Sequence, residues 1–248
     1  MVAPMMMTNL DAAGVRCARL AAGMREGELE QLAGAPAGSV AGWESGRAPI
    51  PENVANLLGD FTATAATETV RLIEQAAATG TITTFAGDDV VAAQTDGRIR
   101  LESVHRVCAG RAAMAVPQAQ VVRRDVDGTE RQAWLLCVTA AWGIGLGQMQ
   151  RWFDVRRRGL QYWMFGERPA ADRVLAEIAE IAEAARAHVD ELAALIDPDD
   201  PVVWVCGTDE QMDSRWPARA QLPLATHQVC AARAAAGIDG ARLVFLPR

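Results

Sequence analysis

The chain has 248 residues, half of them apolar and 22 % charged, with a formal net charge of −7. That length suits one large domain or two ordinary ones, and the apolar share suffices for a packed core. No run of about 18 apolar residues offers a membrane span, and the acidic balance argues mildly against nucleic-acid binding, so the question becomes whether a local basic patch stands on the right element.

Along the chain, MVAPMMMTNLDAAG lacks the basic start and long apolar stretch of a signal peptide, so a cytoplasmic protein with a disordered segment 1–10 is expected. VRCARLAAGM carries an apolar stripe at Val15, Ala18, Leu20 and Ala22 and predicts a helix ending near Gly23. REGELEQLAGA predicts a short second helix with Leu29 and Leu32 inward. In PAGSVAGWESGRAPIP, Pro36 suits the first turn of a third helix, Val40 and Trp43 face the core, and Gly46 supplies the stop. Pro51 opens a long helix over 51–78. Thr81–Phe85 reads as a buried strand, the His105-x-Val107-Cys108-Ala109 segment as a helix, and Gln120–Val122 as a returning strand.

The second half repeats the first. At an offset of 120 residues, nine of the 44 positions from Asp11 to Val54 are identical without a gap, among them Cys17/Cys137, Trp43/Trp163, Gly46/Gly166 and Pro49/Pro169. The offset then grows to 122, where His105–Ala113 matches His227–Ala235 at seven of nine positions. The expected organisation is a helix-turn-helix bundle over 11–60, a long helix and α/β tail over 61–123, and a linker over 124–130. A second bundle follows over 131–180, with a second long helix and tail over 181–248. The fold class is mostly α with a small β part (α+β). Each of the two tandem repeats is a helix-turn-helix bundle plus a β-α-β tail. Together they make a pseudo-two-fold dimer within one chain. A two-stranded sheet is marginal alone, so the two tails are expected to pair into four strands.

The duplication also bears on residue roles. Trp43 and Trp163 read as core, and His105 and His227 as hydrogen-bonded structural residues. The five cysteines form no C-x-x-C pair and read as small buried apolar residues, so no metal site is expected. Gly143-x-Gly145-x-Gly147 follows no strand and makes a weak phosphate loop, and none of the common hydrolase, P-loop or zincin motifs occurs. No catalytic set and no cofactor is expected.

The pattern R-x-x-x-G-M-x-x-x-E-L-x-x-L-A-G-x-x-x-x-x-V-x-x-W-E-x-G-R-x-x-I-P, over residues 15–58, resembles the Cro/CI-like (XRE) helix-turn-helix repressor domain. The second copy keeps Trp163 and Gly166 but has Met164 where the first has Glu44. Repressor-like helices followed by a small α/β dimerisation tail are similar to the anti-CRISPR-associated and YdiL-like regulators. Those chains form dimers of single units, and this one would be the covalent counterpart. The resemblance implies a non-enzymatic regulator, a repressor, with double-stranded DNA as partner and a homodimer of chains possible.

In such a domain the start of the third helix enters the major groove. In copy two that stretch is Arg156, Arg157, Arg158, Gly159, Leu160, Gln161 and Tyr162, and Arg168 follows shortly after. Residues 147–175 hold six arginines and three acids, a local net of +3, and arginine is the usual bidentate reader of guanine. Copy one has Pro36, Ala37 and Gly38 there and a local net of −3 over 27–55, leaving only Ser39, Glu44 and Arg47 to touch DNA. The competing reading is a non-catalytic protein-interaction module on a repressor scaffold that has lost DNA binding, favoured by the acidic first copy.

Overall fold

A computed structural model describes residues 10–124, 130–164, 166–219 and 221–247. The expected disordered segment 1–10 and linker 124–130 fall almost wholly outside these. The first half runs α1 (Ala12–Ala22), α2 (Glu26–Ala33), α3 (Ser39–Glu44), α4 (Glu52–Thr79), β1 (Thr81–Thr84), α5 (Asp88–Gln94), α6 (Glu102–Ala115), β2 (Gln120–Arg123). The second runs α7 (Glu130–Ala141), α8 (Leu146–Phe153), α9 (Arg157–Met164), α10 (Asp172–Ala194), β3 (Val202–Val205), α11 (Asp209–Arg215), α12 (Leu224–Ala236), β4 (Arg242–Phe245). Apart from a 3-10 turn at Pro217–Arg219, the order of elements is the same. The chain is mostly helical with short strands, and no helix among the described residues is long and apolar enough to cross a membrane.

Local chemistry sets the helix ends. Asp11 caps α1 by accepting from the Gly14 N–H at 2.8 Å, and Gly23 closes the helix at φ 76°, a conformation that costs an L side chain dearly. α2 begins with a reciprocal cap in which Glu28 accepts from the Arg25 N–H at 2.7 Å. α3 starts at Ser39, so Pro36 lies in the turn before the helix rather than in its first turn. Val40 and Trp43 face inward, and so does Leu29, whereas Leu32 is exposed; Trp163 is only half-buried, not a core residue like Trp43.

The chain forms two compact units, and they do not follow the halves. Among the described residues, one consists of those up to Ala63 together with those from Glu183 onward; the other consists of those from Thr64 to Ala182. In the first unit α1 packs on α12 and β4, so the first helical bundle is completed by the second tail. In the second unit α7 packs on α6 and β2, so the second bundle is completed by the first tail.

β1 and β2 pair in parallel, Thr81 opposite Gln120 and Thr84 opposite Arg123. β3 and β4 do the same, Val202 opposite Arg242 and Val205 opposite Phe245. The expected four-stranded sheet is therefore replaced by two separate two-stranded sheets. The burial that a two-stranded ribbon lacks is supplied by helices: α7 and α6 against β2, and α1 and α12 against β4.

Candidate nucleic-acid interface

α7, α8 and α9 position the basic residues. Leu160 is fully buried, as are Met149 and Phe153 of α8, which fixes the inner face of α9. The α8–α9 turn passes through Asp154 in the left-handed region (φ 46°), one of the few non-glycine residues that tolerate it. Arg156, Arg157 and Arg158 emerge from that turn, all exposed. Positions 157 and 161, and 158 and 162, are four apart and share faces of α9.

Tyr162 organises the outer face. Arg158 Nε donates to the Tyr162 hydroxyl at 2.6 Å, and the guanidinium lies 5.5 Å from the ring centroid. The exposed Arg168, from the turn after α9, lies 5.0 Å from the same centroid. Cations over an aromatic face are attracted by its quadrupole, so Tyr162 gathers two arginines from opposite ends of the helix. Gln161 is half-buried beside them. Arg156, Arg157, Arg158, Gln161, Tyr162 and Arg168 thus form one group on one helix and its flanking turns.

Ser39 and Arg47 do not join that group; they belong to the other compact unit. Ser39 is half-buried at the start of α3, and Arg47 is exposed, its Nε donating to Ser45 Oγ at 2.8 Å. The N-terminus of α3 is already occupied: Glu30 Oε1 accepts from the Gly38 N–H at 2.8 Å and the Val40 N–H at 3.1 Å. A carboxylate there neutralises the positive end of the helix. The second half has the neutral Gln150 at the matching register position.

The acidic face expected for the first bundle is absent. Glu28, Glu30 and Glu44 are all buried and hydrogen-bonded within the bundle, so three of the four acids over 27–55 point inward. Composition counts charges without regard to direction, and here the direction removes them from the surface.

Sequence reasoning missed two polar clusters. Arg19 and Glu44 form a buried bidentate ion pair, with Arg19 also donating to the Met24 carbonyl at 2.8 Å. At the matching positions the second half has Thr139 and Met164, so both charges are replaced together. In the same unit His188 Nε2 and His227 Nδ1 lie 2.8 Å apart, and His227 Nε2 accepts from the Cys206 N–H at 3.0 Å. His188 Nδ1 is 3.2 Å from Glu191 Oε2, and Arg219 Nη2 donates to Glu191 Oε1 at 2.6 Å. Burial, and then the neighbouring His188, push His227 down to about 3, and burial lowers His188 as well. His105, the counterpart in the other unit, is buried and stacks on Phe85 at 5.6 Å.

All five cysteines are buried and free, and burial raises every thiol. Among the described residues no group of three or more His, Cys, Asp or Glu side chains could hold a metal ion. Comparison with known protein families, curated proteins and solved structures finds no match to this chain.

Proposed function

We propose that the chain is a sequence-specific DNA-binding transcriptional regulator, a repressor of the Cro/CI-like kind, built as a covalent pseudo-dimer by tandem duplication. The observation that carries this reading is the exposed arginine group at the start of α9. Arg156 precedes and Arg157 and Arg158 open the third helix of a helix-turn-helix bundle, and Arg158 and Arg168 lie over the Tyr162 ring. Arginine there has the fork geometry to bind guanine edges or phosphates. In the duplication reading, the shared order of elements and the 120-residue register reflect two copies that exchanged tails.

The second unit is the reader and the first is not. Pro36, Ala37 and Gly38 stand where the arginines stand in α9, and Glu30 already holds the start of α3. With one reader per chain, a palindromic operator requires two chains to place two helices about 34 Å apart. The alternative, a protein-interaction module without DNA binding, draws on the same features of the first unit. Selection from a randomised 20-base-pair duplex library separates the two. A regulator enriches a defined motif and loses affinity steeply with salt; an interaction module enriches nothing.

A further inference from the structure

We infer that the first unit carries a binding site for a small organic monocarboxylate, in a cavity between the first helical bundle and the second tail. The cavity has a volume of about 370 Å³ and opens to solvent. That lies within the range of pockets that hold small ligands. Its walls come from α1, α2 and α3 on one side, and from the β3–α11 turn, the start of α12 and the end of β4 on the other.

The charges on its walls select the ligand. Arg19 and Glu44 neutralise each other through two hydrogen bonds at 2.5 and 3.1 Å. Glu26 lies 3.9 Å from Arg19. Arg16 is half-buried, lines the same cavity, and enters no ion pair among the described residues. One uncommitted guanidinium in a partly desolvated wall fits one carboxylate. Glu26 and Glu44 stand against a second negative charge on the ligand. The remaining wall is mixed: Leu20, Ala41, Phe245 and Leu246 supply an apolar part that suits a short aliphatic or aromatic body, beside the polar Ser45, Thr208 and Gln211.

The second half shows that this polarity is a feature of one unit and is not needed by the fold. At the positions of Arg16, Arg19, Glu26 and Glu44 it has Leu136, Thr139, Leu146 and Met164. At the position of Ala41 it has the larger Gln161. The bundle that keeps its reading positions small and neutral is thus the one with the charged cavity.

The test is calorimetric titration of the full-length chain, without DNA, with hexanoate, phenylacetate, hexylamine and succinate. Because no DNA is present, the result is independent of whether α9 reads a sequence. Hexanoate and phenylacetate are expected to bind saturably, and hexylamine and succinate at least about tenfold more weakly. Arg16→Leu, the residue the second half carries, is expected to weaken hexanoate by about tenfold or more. Ala41→Gln, which keeps Arg16 but narrows the cavity, is expected to do the same. Circular dichroism establishes that each variant folds. The proposal is overturned if neither carboxylate binds saturably, if hexylamine or succinate binds as tightly as hexanoate, or if both variants bind hexanoate like the wild type.

Discussion

Arg19 and Glu44, 25 residues apart, are joined by Nε to Oε1 at 2.5 Å and Nη2 to Oε2 at 3.1 Å, both side chains more than nine-tenths buried. A buried pair of this kind is costly to break from one side, because the remaining charge is left without its partner, whereas removing both charges can be nearly neutral. Glu44→Met is therefore expected to cost about 3 kcal/mol, and the double variant Arg19→Thr/Glu44→Met, which has the pair found in the second half, clearly less. Urea unfolding of the four proteins in a double-mutant cycle measures the coupling. Strictly additive single effects would contradict a coupled pair.

Gly110 sets how closely α6 approaches α7. A Cβ at that position would stand 2.0 Å from the Cys137 carbonyl oxygen and 2.6 Å from its carbon, so backbone would have to move. The matching residue in the second half is Ala232, and alanine is the better helix former. Register and propensity together recommend Gly110→Ala, and the geometry opposes it. The expected outcome is a loss of about 2 kcal/mol by denaturant midpoint. A stabilised variant would show that the two helices separate without penalty.

The five thiols are shielded. Burial pushes Cys108 and Cys206 up to about 11 and Cys137 and Cys230 up to about 12, and raises Cys17 as well. The thiolate is the reactive form, so the native protein at pH 8 should react with a disulfide reagent far more slowly than the urea-unfolded chain, which should release all five. Rapid labelling of the native protein would contradict these positions.

Acid should weaken the first unit. His188 and His227 have depressed folded-state pKa values, so below about 6.5, the ordinary histidine value, the unfolded chain binds protons that the folded one refuses. Their contribution is complete above that pH and is lost as pH falls toward the folded-state value, about 3 for His227. The limiting slope is about 1.4 kcal/mol per pH unit for each histidine. Urea midpoints followed by circular dichroism should fall between pH 7 and pH 5. A flat profile over that range would mean that the pair accepts a proton in place.

Much of the local structure was legible in the sequence, and the pairing of its parts was not. The stripe at Val15 and Ala18, the stop at Gly23 and the strand expected over Thr81–Phe85, observed as Thr81–Thr84, follow from periodicity and from one glycine conformation. Which tail completes which bundle cannot be read from a register in which both tails look alike; α1 chooses α12 over α6 through contacts far apart in the chain. The short helices α5 and α11 lack a periodic signal long enough to announce them. For the candidate interface, the arginine triplet was legible as a charge run at the start of a helix. The placing of Arg168 over the Tyr162 ring, and the inward turn of Glu28, Glu30 and Glu44, depend on three-dimensional direction. The Arg16 cavity joins residues from opposite ends of the chain and leaves no trace in either.

In the proposed function, α9 reads DNA and α3 does not. Its most direct test is fluorescence anisotropy on the duplex motif enriched by the wild-type protein, at two salt concentrations. Arg156→Ala/Arg157→Ala/Arg158→Ala is compared with Ser39→Ala/Arg47→Ala. Each base-reading arginine is worth about 1–3 kcal/mol of discrimination, and a phosphate contact changes the salt slope by about one. The triple variant is expected to bind the motif no better than an unrelated duplex, with circular dichroism unchanged, while the double variant stays within about threefold of wild type. Retention of specific binding by the triple variant, or its loss in the double variant, would show that α9 is not the sole reader.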